Sequence, residues 1–135
     1  MSAQVATYQE TNQENMVTFR VNTDPMHELL LRIGVPPHIY GYAYIIYAIE
    51  LILFDPDLLH HVTKGLYIDI ASKFNTNPSR VERAIRHAIN VAWLHGDLNF
   101  ITQVFRNCVR SDKGVPTNTM FLARLYYYVV NREYE

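Results

Sequence analysis

The chain has 135 residues, 49% of them hydrophobic and 19% charged, with five glycines and six prolines. That is enough for one packed core and too apolar for a disordered chain, and it leaves no room for a turn-rich β-sandwich. Net charge is only −1, but it is unevenly spread. Residues 1–59 hold two basic against seven acidic residues, and residues 60–124 hold nine basic against four acidic. Such a split implies an electrostatic footprint on one side of the molecule. The lone Cys108 cannot form an internal disulfide, and Met1-Ser2-Ala3-Gln4 opens without the basic and apolar regions of a signal peptide. A cytoplasmic protein is therefore expected.

In chain order, residues 1–23 read as a flexible polar leader rich in Gln, Asn, Thr and Ser. Within it, Val17, Phe19 and Val21 alternate with polar residues as in a short strand, which would pair with another chain or form an extended arm. A helical domain is expected over 24–135. Asp24-Pro25 reads as an N-cap followed by proline at the first helical position, and Gly34 with Pro36-Pro37 ends that first helix. A second helix, about Ile39 to Phe54, is apolar nearly all round and carries only Glu50 as a charge, which suits a buried central helix rather than a membrane span.

A third helix, near Leu58–Phe74, repeats Val62, Leu66, Ile70 and Phe74 every four residues, and Asn75-Thr76-Asn77-Pro78 makes a polar turn. The fourth runs to about Leu94 and stops at Gly96. Asp97 caps a fifth, with Ile101, Val104, Phe105 and Cys108 inside. After a loop at Ser111–Pro116, Thr117 caps a sixth, with Phe121, Leu125 and Tyr128 in the core. The expected class is all-α, six helices, with a helix-turn-helix at about 58–95.

The fourth helix carries the functional signal. At helical spacing Val81, Ala84, Ile85, Ala88 and Ala92 form one stripe, while Arg80, Arg83, Arg86, His87 and Asn90 occupy the opposite face with Glu82 at its edge. In a helix-turn-helix the second helix enters the major groove of duplex DNA and presents its N-terminal residues to base edges. Arginine forks fit guanine O6 and N7, a carboxylate can accept from the cytosine amino group, and a helix N-terminus with Thr76 and Ser79 beside it favours phosphate. The pattern alone equally admits a solvated basic face, with Ser79 and Glu82 serving only as a capping box.

Several stretches carry a resemblance: Gly34-Val35-Pro36, His38-Ile39, Gly41-Tyr42, Leu66-Tyr67, Asp69-Ile70-Ala71, Lys73 to Thr76, Val91-Ala92-Trp93, Pro116-Thr117-Asn118 and, above all, Ser79 to Ile89. Over residues 34–96, and more loosely to Thr119, the chain resembles the C-terminal effector domain of stage zero sporulation protein A, the sporulation master response regulator of spore-forming Firmicutes. The resemblance implies a six-helix fold and binding to a double-stranded TGTCGAA-type box, often as tandem copies that self-associate on adjacent sites. It also implies that Arg80, Glu82 and Arg83 read bases. Ser79, Arg86 and His87, with Lys73, Thr76 and Asn90, would contact the DNA backbone or neighbouring positions. The family also touches the RNA polymerase sigma factor.

Two departures stand out. Where the family carries a receiver domain, about 23 residues of polar leader stand here, and no phosphorylation switch can be read from the chain. Leu94-His95-Gly96-Asp97 replaces a more basic stretch. The alternative function is a protein–protein interaction module, or a stand-alone antagonist that keeps the fold. Neither an enzyme nor a cofactor is expected, for no nucleophile–base pair or phosphate-cradling loop is visible. His60-His61, His87 and His95 lack metal-ligand spacing. Tyr40, Tyr42, Tyr44, Tyr47 and Tyr126-Tyr127-Tyr128 read as core residues with hydroxyls at its edge.

Overall fold

The computed structural model describes residues 6–10, 17–105 and 114–131. Two short strands, β1 (Ala6–Glu10) and β2 (Val17–Val21), pair antiparallel, with Tyr8 opposite Phe19. The strand expected at 17–21 thus finds its partner inside the leader rather than in another chain. Among the described residues six α-helices follow, and they build the domain.

Helix α1 (Asp24–Ile33) buries Met26, Leu29, Leu30 and Ile33. Its N-cap is Thr23 and not the expected Asp24, whose own N–H is taken by the Asn22 side chain at 3.1 Å. It ends at Gly34 with φ of 110°, where the Gly34 and Val35 N–H groups both donate to the Leu30 carbonyl at 3.0 Å. A side chain on Gly34 would come within 2.6 Å of the Gly96 backbone, so the end of α1 meets the chain at Gly96 without side chains between them.

Helix α2 (Tyr40–Phe54) is the central element, with Ile45, Ala48, Ile49 and Ile52 fully enclosed among the other helices. No helix among the described residues is long and apolar enough to cross a membrane.

The expected helix 58–74 is broken. Asp55 caps a 3-10 turn (Pro56–His60), accepting from the Asp57 N–H at 3.2 Å, and the chain leaves helical geometry at His61 with φ −138° and ψ 48°. It re-enters through a π turn (Val62–Leu66) in which the Leu66 N–H donates to the His61 carbonyl at 3.0 Å. The wide turn keeps Val62 and Leu66 on the buried side before α3 (Tyr67–Phe74) begins. Asn75, in the left-handed region at φ 57°, ends α3, and the Thr76 N–H donates back to the Ala71 carbonyl at 2.9 Å. Asparagine tolerates this conformation better than most residues, which explains its place at the sharp corner.

Helix α4 (Pro78–His95) buries Val81, Ile85, Ala88, Ile89 and Ala92, while Ala84 is half-buried. Asp97 caps α5 (Leu98–Phe105) through the N–H groups of Asn99 and Phe100, and Thr117 caps α6 (Asn118–Val130) through that of Met120. Ile101, Val104, Phe105, Phe121, Leu125 and Tyr128 are buried as their spacing predicts; Cys108 and most of the loop before Pro116 lie outside the described residues. Phe105 and Phe121 stack at 5.3 Å beneath Trp93, tying α5 and α6 to the far half of α4.

Candidate nucleic-acid interface

Helix α3, the corner at 75–77 and helix α4 form a helix-turn-helix. Asn77 sets where the second helix starts. Its backbone is extended, its side-chain oxygen accepts the Arg80 N–H at 2.9 Å, and Pro78 occupies the first turn. The capping oxygen therefore comes from Asn77, and Ser79 is left exposed on the first turn instead of closing a capping box.

Beyond the cap, Arg80, Arg83, Arg86, His87 and Asn90 are all exposed, and Val81, Ile85, Ala88 and Ile89 face the core. Arg80 and Arg83 lie one turn apart, with no ion-pair partner among the described residues. Arg86 is engaged with the Glu82 carboxylate four residues earlier, at side-chain exposures of 59% and 27%. Glu82 and Arg86 therefore act as a unit, with charges that largely cancel. Thr76 is half-buried at the corner. Lys73 is exposed, its ammonium 5.6 Å from the centre of the Tyr47 ring.

Two clefts flank the first half of α4. On the α2 side, Tyr40, Tyr44, Phe74, Thr76, Arg80 and Arg83 surround about 410 Å³. On the α6 side, a second cleft of about 350 Å³ lies among Thr63, Tyr67, Glu82, Arg86, Asn90 and Thr117. Behind it Asn118, itself buried, donates from one amide nitrogen to the Tyr67 hydroxyl and to the Glu82 carbonyl, both at 3.0 Å. Burial raises the pKa of the Tyr67 hydroxyl against the lowering influence of Asn118 and Arg86, so Tyr67 stays a neutral hydrogen-bonding group.

The geometry is that of a helix with an exposed basic face, clamped between two walls. The family model described as "Sporulation initiation factor Spo0A C terminal" matches residues 26–129. The chain belongs to this family. Membership makes it a DNA-binding domain of sporulation transcription regulation. The Spo0A C-terminal match runs from α1 almost to the end of α6. It therefore reaches beyond the stretch from Gly34 to Thr119 that carries the resemblance in the sequence, and it includes the fifth and sixth helices.

In this Spo0A C-terminal fold the structure brings Ser79, Arg80, Arg83, Arg86, His87 and Asn90 onto one exposed surface of α4, with Thr76 at its start. Lys73 sits one helix away on the α2 side. His61 pairs instead with Asp57 at 3.3 Å, and no three His, Cys, Asp or Glu residues gather into a metal-holding group among the described residues. Two residues important to the site were not singled out by spacing. Asn77 was readable as a turn residue, and the Asn-Pro pair is a cap-and-first-turn signature. Asn118 lay in the matching stretch Pro116-Thr117-Asn118, but nothing in a linear pattern links it to α4.

Proposed function

We propose that this chain binds double-stranded DNA sequence-specifically at a TGTCGAA-like box, with α4 in the major groove, and regulates sporulation transcription in the cytoplasm. Arg80 and Arg83 make bidentate contacts to guanines, and Glu82 accepts from a cytosine while held by Arg86. Ser79, Thr76, Arg86, His87, Asn90 and Lys73 serve the backbone and flanking positions. The observation that carries this reading is the pair of exposed arginines at the start of a capped helix, one turn apart and with no acidic partner among the described residues. A merely solvated face would gain from neutralising them; a reading face needs their forks uncommitted.

The test is a titration on a TGTCGAA duplex and on a scrambled duplex, each at two salt concentrations. The cognate duplex should bind more tightly, and Arg80→Ala should cost about 1–3 kcal/mol on it while narrowing the gap between the two. Equal affinity of the unaltered chain for both duplexes would sink the sequence-specific reading in favour of a protein-interaction module. An Arg80→Ala variant with undiminished cognate affinity would remove Arg80 from the reading set.

A further inference from the structure

The α2-side cleft has a composition that base reading does not account for. Its floor is aromatic: Tyr44 meets Phe74 with ring centres 5.1 Å apart at 60°. Tyr40 stacks on Tyr44 at 6.2 Å and only 20° between planes, yet is 78% exposed. One face of the Tyr40 ring is thus held against a buried neighbour and the rest is offered to solvent. A large apolar ring fixed in the open costs little further ordering when it binds something. The rim adds the Thr76 hydroxyl and the cations of Arg80 and Arg83, and among the described residues no carboxylate lines the cleft.

Hydroxyl donors and an apolar ring surface, without an acid and in the positive field of two arginines whose forks reach the bases, match an anion joined to a carbon ring. A deoxyribose phosphate is such a group. The placement agrees, because a helix lying in the major groove has a sugar–phosphate strand passing along each side, and the cleft opens along one side of α4. We propose that this cleft seats the sugar–phosphate backbone of one strand beside the box. The Tyr40 ring packs on a deoxyribose, and the hydroxyls of Tyr40 and Thr76 donate to a phosphate oxygen. The inference rests on the duplex-binding reading above and adds a sequence-independent contact to it.

The experiment compares the unaltered chain with Tyr40→Ala and Tyr40→Phe on the cognate duplex, the scrambled duplex and the cognate single strand. Phosphate-ethylation interference is run on the cognate duplex in parallel. Tyr40→Ala should weaken both duplexes by the same factor, about three- to tenfold, the size of one hydrogen bond with its packing. It should leave the cognate-to-scrambled ratio and the salt slope unchanged, and it should abolish interference at one or two phosphates flanking the box. Tyr40→Phe should recover part of the loss.

Unchanged duplex affinity in Tyr40→Ala would overturn the proposal, and so would a changed ratio, which would make Tyr40 a base reader. A loss confined to the single strand would assign the ring to stacking on an unpaired base and overturn it as well. The two readings fail separately. If the unaltered chain discriminates between duplexes and Tyr40→Ala matches it, only the cleft falls. If it does not discriminate but Tyr40→Ala weakens both, only sequence-specific reading falls.

Discussion

On the side of α4 that faces α2, backbone meets backbone: a methyl group placed on Gly41 would lie 2.3 Å from the Ala84 carbonyl oxygen and 2.8 Å from the Ala88 side chain. On the side that faces α6, the same helix is held by Asn118, which spans from the Tyr67 hydroxyl to the Glu82 carbonyl. The first wall fixes the distance of α4 from the core through shape, which any added atom upsets. The second fixes its lateral and rotational setting through directional bonds, which only a donor in the right place can supply. The walls also differ in what they leave free. The α2 side ends in an open aromatic cleft beside Arg80 and Arg83, which have no ion-pair partner among the described residues, whereas on the α6 side Arg86 is already engaged with Glu82. One flank is therefore open and the other closed on its own side chains, holding the helix in place.

The largest effect should come from breaking the shape wall. Gly41→Ala forces a methyl group against main chain that cannot step aside, so destabilisation should reach the upper end of overpacking, about 3 kcal/mol. Urea unfolding would read this as a lower midpoint with an unchanged slope. Cognate DNA affinity should also fall, because Ala84 lines the α2-side cleft and moves with α4. A midpoint equal to that of the unaltered chain would show that the two helices do not approach so closely.

Breaking the directional wall should cost less. Asn118→Ala takes the donor from the buried Tyr67 hydroxyl and a second donor, beside the helical one, from the half-buried Glu82 carbonyl, for about 1–3 kcal/mol. Tyr67→Phe should cost less than Asn118→Ala, since the Asn118 bond to the Glu82 carbonyl is kept. Asn118→Ala should also narrow the cognate-to-scrambled ratio, because the turn it anchors carries Glu82 between Arg80 and Arg83. If stability falls while the ratio holds, Asn118 supports the fold without setting the reading geometry.

These two walls were unequally legible in the sequence. The exposed and buried faces of α4 follow from its 3.6-residue period, and the notches at Gly34, Gly41 and Gly96 are glycines placed at helix starts and ends. The helix-turn-helix order was visible because Asn75 and Asn77-Pro78 are turn and cap chemistry. Asn118 was not legible as a contact, because its partners lie 51 and 36 residues away and no local pattern encodes such a bond. The break at 56–66 was hidden for a different reason. Apolar residues four apart satisfy a π turn as well as an α turn, so Val62 and Leu66 do not reveal which carbonyl closes the ring. The β1–β2 pairing was hidden too, since main-chain hydrogen bonds need no apolar alternation and Ala6–Glu10 shows little.

The smallest effect, and the sharpest on function, concerns the Glu82–Arg86 pair. As a partly exposed i,i+4 pair it should contribute only about 0.2–0.5 kcal/mol to stability. Its effect on binding should be larger and should depend on which partner is removed. Arg86→Ala deletes a cation and also releases a carboxylate toward a polyanion, so both duplexes should bind more weakly. The double variant Glu82→Gln with Arg86→Ala removes both charges and should bind the scrambled duplex better than Arg86→Ala alone. If Arg86 also reaches a phosphate, its removal should lower the salt slope by about 1. Should the single and double variants bind the scrambled duplex equally, the Glu82 charge is not felt by the DNA. Arg86 would then act as an independent phosphate contact, and the α6 flank would be less closed to ligand than its ion pair implies.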